Sequence, residues 1–187
     1  SFNTAVGHSA GSAVTTGVQN VIMGALSGDA LTDADRNTVL GYSALTLDTL
    51  GSRSVAIGAV TLANQNFTTA TESYNTAVGY AAGQEVTTGQ YNTLLGGLAG
   101  DALTTSNNNV AIGYQALTTD TLGTKTVAIG IDALKTQNFT TNTDSYNVAM
   151  GYHAGRDVTT GTDNTLIGGL AGDALTTGSL NVAVGKN

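Results

Sequence analysis

Few residues in this chain could do chemistry, and their spacing argues against it. Histidine, the side chain best suited to proton transfer and metal ligation near neutral pH, occurs twice. His8 directly follows Gly7 whereas His153 stands two residues after Gly151, so equivalent repeats do not stack the rings into a ligand pair. Asp29, Asp33 and Asp35 form an acidic cluster of the kind a calcium loop uses, since that cation takes several hard oxygen ligands. Only Asp29 recurs, as Asp101 and Asp173; the other two give way to Thr105 and Asn107, then to Thr177 and Ser179. The cluster reads as a solvated turn. No glycine-rich segment precedes a helical pattern or is followed by Gly-Lys-Ser/Thr, so a phosphate cradle is absent. Cysteine is absent too, which removes disulfides and thiolate metal sites. No nucleophile, base and orienting group recur together, so the chain reads as a non-enzyme that needs no cofactor and no metal.

What recurs is architecture. A five-residue pattern, a polar residue, three apolar ones and a glycine, is seen most simply at Asn75-Thr76-Ala77-Val78-Gly79 and occurs eleven times. The closing glycines are Gly7, Gly24, Gly41, Gly58, Gly79, Gly96, Gly113, Gly130, Gly151, Gly168 and Gly185, separated by steps of 17, 17, 17 and 21 residues that then begin again. Four steps make a super-repeat of 72 residues, giving copies 1–72, 73–144 and a partial 145–187 within one array spanning 1–187. Fixed periods of this length are the signature of a solenoid. The expected fold is all-β: a parallel β-solenoid, β-roll or β-helix, of about eleven coils. At about 4.8 Å per coil the rod would be about 50 Å long. The chain begins with serine in mid-repeat, which suggests an excerpt of a longer protein.

Within each pattern the second and fourth places are rich in β-branched residues and alternate with the third as in a strand. We expect those two to point into the coil. The third place is then a second apolar strip, Ala5, Ala56, Ala77, Ala111, Ala128, Ala149 and Ala183 in seven of eleven coils. A strand apolar on both faces must be covered on both; the small alanines predict close approach of an identical chain, and so a homo-oligomer. After the closing glycine we expect a turn, a second short strand with alanine or leucine inward, and a corner at Gly17, Gly51, Gly89, Gly123, Gly161 and Gly178 that needs positive φ. Asparagine fills the polar first place in nine of eleven coils, a stack that can satisfy turn backbone groups.

Three surface features remain as binding candidates. Thr15, Thr32, Thr49, Thr87, Thr104, Thr121, Thr159 and Thr176 all stand eight residues after a closing glycine and should form a ladder. A flat, weakly charged threonine rank can bind ice. Ladders also arise because threonine suits strands and hydrogen-bonds its stacked copy, and here every fourth coil breaks the rank. The longer coils carry Gln65–Glu72 and Gln137–Asp144, which should bulge as loops and offer Phe67, Tyr74, Phe139 and Tyr146 as possible ligand contacts. Finally, Tyr42, Tyr80, Tyr114 and Tyr152 follow closing glycines; with Tyr74, Tyr91 and Tyr146 they could serve as sugar platforms, or pack over corners and close a subunit interface.

Composition narrows the partners. Only 10% of residues are charged and the formal balance is −7, which works against nucleic acid and anionic membranes. No run approaches the roughly 18 apolar residues of a membrane helix, and no signal peptide is evident. At Ser54-Val55-Ala56-Ile57-Gly58 and Thr126-Val127-Ala128-Ile129-Gly130 the sequence resembles the repeat of trimeric autotransporter adhesin heads. The Asn-Thr-Ala-Val-Gly, Gly-Tyr-x-Ala-Leu and Thr-Thr-Gly phrases resemble repeats of long fibre proteins of tailed phages, particularly aquatic ones. The resemblance implies a homotrimer of β-rolls, left-handed in the adhesin heads, exposed outside a cell or on a virion and used for attachment. The 17- and 21-residue steps are longer than the adhesin-head repeat. The expected function is a rigid spacer in an extracellular, virion or bacterial-surface fibre. A cell-surface glycan or receptor is a further expected partner, and glycan or ice binding by the solenoid surface is the alternative.

Overall fold

The computed structural model describes residues 2–186. The chain is an all-β parallel solenoid of about eleven coils, with no helix among the described residues. Each five-residue pattern supplies one three-residue strand: β1 (Thr4–Val6), β2 (Val21–Met23) and β3 (Thr38–Leu40), then β5 (Val55–Ile57) after the short β4 (Gly51–Ser52). Beyond β6 (Thr71–Glu72) the series repeats with β7 (Thr76–Val78), β8 (Thr93–Leu95), β9 (Val110–Ile112), β10 (Gly123–Thr124), β11 (Val127–Ile129), β12 (Thr143–Asp144), β13 (Val148–Met150), β14 (Thr165–Ile167) and β15 (Val182–Val184). The eleven longer strands form one parallel sheet in chain order. Equivalent places pair throughout, as in Ala5↔Ile22, Val39↔Ala56, Ala77↔Leu94 and Leu166↔Ala183.

The two faces of this sheet are the reverse of the expectation. Ala56, Ala77, Ala111, Ala128 and Ala149 are fully buried inside the single chain, and Ala5 and Ala183 hold the same register in the end strands. The alanine column therefore cannot face another subunit. The second and fourth places point outward instead, leaving Val21, Met23, Leu40, Ile112, Met150 and Ile167 exposed. The reason lies across the interior. Where the third place is large, the return arc carries glycine: a Cβ added to Gly83 or Gly100 would lie 2.6 Å or 2.8 Å from Leu94 methyl carbons. The arcs before and after Ala56 carry Leu45 and Leu62 at the same place, and those before and after Ala128 carry Leu117 and Leu134, all fully buried. The bore is narrow, so sizes on its two walls compensate. We expect Leu94→Ala to lower stability by about 2 kcal/mol, near the low end for such truncations because two glycines let the site collapse; a shift in the thermal midpoint checks this.

The return arc holds no second strand in most coils. Its second and fourth residues are left-handed, for example Ser43 (φ 49°) and Leu45 (φ 50°), or Gln115 (φ 54°) and Leu117 (φ 56°). An arc of this kind turns inward twice and cannot pair as extended chain. Each such residue carries strain of about 1 kcal/mol, and coil-to-coil bonds hold it: the Ser43 N–H donates to the Ala25 carbonyl at 3.0 Å and the Leu45 N–H to the Thr61 carbonyl at 3.0 Å. Positive φ also falls on the closing glycines, and not on the Gly17, Gly51, Gly89, Gly123, Gly161 and Gly178 column. That column is tight for space: a Cβ on Gly89 would lie 2.3 Å from the Ser106 carbonyl oxygen. The asparagine stack forms as expected. Asn37 Nδ2 donates to the Gly51 carbonyl at 2.9 Å, and Asn37 Oδ1 accepts from the Ser54 N–H at 2.8 Å.

Candidate functional site

The inserts of the longer coils interrupt the repeat, and each is built on a buried polar knot. Asp48 lies in the third coil of the first copy and is fully buried. Its Oδ1 accepts the N–H groups of Gly51 (3.0 Å) and Phe67 (3.1 Å), and its Oδ2 accepts Gln65 Nε2 at 2.6 Å. Gln65 also donates to Ser54 Oγ (2.9 Å) and accepts from Asn75 Nδ2 (2.9 Å), which ties the insert to the asparagine stack. Burial pushes the Asp48 carboxyl above its ordinary range, against the opposing pull of Gln65 and of the Phe67 and Gly51 amides. The second copy repeats the knot with Asp120, Gln137, Phe139 and Asn147.

This knot overturns one sequence expectation. Phe67 and Phe139 are 4% and 6% exposed and pack inward, so they cannot touch a ligand. They are anchors. The insert is likewise tied at both ends: β6 pairs with β4 and β12 with β10, leaving Thr68, Thr69 and Ala70, or Thr140, Thr141 and Asn142, as the exposed tip.

Tyr74 and Tyr146 are exposed, yet each is engaged. The Tyr74 hydroxyl donates to Glu72 Oε2 at 2.7 Å, the Arg53 guanidinium lies 5.5 Å from its ring centroid, and Tyr91 stacks on it at 5.8 Å. Arg53 Nε also meets Glu72 Oε1 at 2.8 Å. The Tyr74 hydroxyl, and then Arg53, hold the Glu72 carboxyl below its ordinary range. In the second copy Lys125 Nζ reaches Asp144 Oδ2 at 2.6 Å and the Tyr146 hydroxyl at 3.1 Å, and lies 5.1 Å from the ring centroid. Cation, ring and acid brace the insert against the previous coil in both copies.

The threonine ladder forms. Thr32 donates through Oγ1 to the Thr49 carbonyl at 3.0 Å and Thr104 to the Thr121 carbonyl at 3.0 Å, with Thr15, Thr87 and Thr159 making the same contact at 3.3 Å. Asn66 and Asn138 take the ladder place in the longer coils, where their N–H groups donate to the carbonyls of Thr87 and Thr159. Hydroxyls so engaged serve the stacking of coils, and all but Thr15 and Thr176 are partly covered. No protein-family model, no curated protein and no solved structure matches the chain.

Elsewhere the titratable groups disperse. Asp29 accepts from the Thr46 hydroxyl and Asp33 from the Thr16 hydroxyl, each at 2.6 Å, while Asp35 accepts the Val18 N–H at 2.8 Å. His153 Nε2 lies 3.3 Å from Asp132 Oδ2, and its ring stacks on Tyr152. Among the described residues no three His, Cys, Asp or Glu side chains gather as a metal site. No helix among them is long and apolar enough to cross a membrane. One surface that sequence reasoning underused is the outward face of the main sheet. Its signal was present in the compensation between Leu94 and Gly83 or Gly100, which marks the third place as interior.

Proposed function

We propose that this chain is a structural fibre segment: a rigid spacer in an extracellular or virion attachment protein, of the phage tail fibre or adhesin kind, assembled as a homotrimer. The observation that carries this reading is the outward face of the eleven-stranded sheet. Its two columns run the length of the rod, are built from Thr, Val, Ile, Leu and Met, and contain no charged residue. A continuous exposed apolar strip of a few hundred Å² marks an interaction surface. Chains that each carry −7 can meet closely only where that charge is absent. A second copy also repeats the same spacing, so side chains on the two faces stay in phase along the whole contact.

The mechanics follow from the ladder. Each strand of the main sheet between β1 and β15 is hydrogen-bonded to the coil on either side, and stability in such arrays is a sum over neighbours. The rod would hold a receptor-binding element away from its particle or cell. Light scattering during size-exclusion chromatography tests the assembly: we expect three chains per particle, reduced to one in the Ile112→Lys/Ile129→Lys variant with its circular dichroism unchanged. A stable wild-type monomer would remove the trimer and, with it, the fibre reading.

A further inference from the structure

We propose that Tyr42, Tyr80, Tyr114 and Tyr152 form a binding track for a neutral, extended β-linked polysaccharide laid along the rod. These tyrosines differ in kind from Tyr74 and Tyr146. None of their four hydroxyls has a hydrogen-bond partner among the described residues, whereas Tyr74 and Tyr146 are bound to Glu72 and Lys125. Their exposures, 58%, 63%, 52% and 55%, leave over half of each side chain open.

Their spacing is regular. One tyrosine follows the closing glycine in every second coil, which places neighbours about 9.6 Å apart. The coils between carry Ala59, Gly97 and Ile131 at that place. A Cβ on Gly97 would lie 3.6 Å from Tyr114 Cδ2, so that ring rests along the bare backbone of the preceding coil.

An extended β-linked pyranose chain advances by close to one coil height per sugar and turns over at each step. Every second sugar therefore presents the same apolar face, in phase with every second coil. Aromatic rings with a hydroxyl at the tip suit that face and the equatorial hydroxyls around it. Ser43, one residue beyond Tyr42 and partly exposed, supplies a hydroxyl along the track's edge; Gln115 accepts from Lys135 Nζ at 2.9 Å, and His153, held against Asp132, stacks on one face of the Tyr152 ring and leaves the other for a sugar. The −7 balance disfavours acidic glycans and selects neutral ones. A coiled, α-linked chain does not keep the step. The inference is independent of the fibre reading, since the track would serve a single chain or an assembly that leaves it open.

Co-sedimentation with microcrystalline cellulose, with crystalline chitin and with insoluble amylose tests it, with the solution mass measured on the same samples. We expect retention on cellulose or chitin and none on amylose. Tyr80→Ala/Tyr114→Ala should weaken that retention about tenfold or more while leaving circular dichroism and solution mass unchanged, and Tyr74→Phe should bind as the wild type does. Failure to bind either extended polysaccharide, equal binding to amylose, or undiminished binding by the double variant would overturn the proposal. The mass measured alongside shows separately whether the trimer exists.

Discussion

Gly113→Ala is expected to cost about 4 kcal/mol, enough to shift a thermal or urea midpoint far beyond error. Gly113 closes β9 at φ +131°, and an added Cβ would stand 2.5 Å from the Gly130 carbonyl oxygen and 2.6 Å from its carbon. Both obstacles are backbone. Neither can swing aside as a side chain would, because the same corner recurs in the next coil, where a Cβ on Gly130 would lie 2.2 Å from the Gly151 carbonyl oxygen. Relief in one coil therefore displaces its neighbour. Gly169→Ala is the matched control, since an added Cβ there meets nothing within 4 Å and φ is not positive. It should change stability by no more than about 0.5 kcal/mol. Equal effects at the two sites would show that the corners are not close-packed.

Asp48→Ala should cost about 3 kcal/mol, because it leaves the Gly51 N–H, the Phe67 N–H and Gln65 Nε2 in the interior without their acceptor. Coupling between coils is local in an array, so amide exchange should quicken at Gly51 and Phe67 and stay slow around the intact Asp120 knot. The pH dependence has a definite sign. The folded carboxyl titrates above its ordinary 3.8, so the fold binds that proton more tightly than the unfolded chain does. Its contribution is fully present below pH 3.8 and is lost as the pH rises through the raised value. Wild-type stability relative to Asp48→Asn should therefore fall with rising pH over that window, read from urea midpoints at several pH values. A flat difference would mean that burial does not govern this carboxyl.

The glycine steps alone specify the register, because a parallel solenoid pairs equivalent residues and Ala77 must then meet Leu94. The direction of the faces was not legible in the strand itself. Thr76, Ala77 and Val78 are apolar enough on either side, and small size was read as a sign of subunit approach when it reflects a narrow bore. Leu45 and Leu62 fill that bore opposite alanine, and Gly83 and Gly100 make room opposite Leu94. The return arc was misread for a different reason. Its left-handed positions hold Leu45, Gln115 and His153, residues that announce no such conformation, and the ladder alone keeps them there. Phe67 and Phe139 looked like surface contacts because they sit in polar, threonine-rich inserts. Their burial depends on Asp48 and Asp120, which lie a coil earlier and meet them only once the coils stack.

The four-coil unit also makes length an adjustable property. The seam between the first and second copies sets Ala56 against Ala77, and the seam between the second and third sets Ala128 against Ala149. Both joints therefore make the same interior contact. Duplicating one 72-residue unit by recombination within the gene would create a third joint of that chemistry, disturb no existing one, and lengthen the rod by about 19 Å. Deleting a unit would shorten it by the same quantum. A rod made this way can change length in a single genetic event, without redesigning its interior.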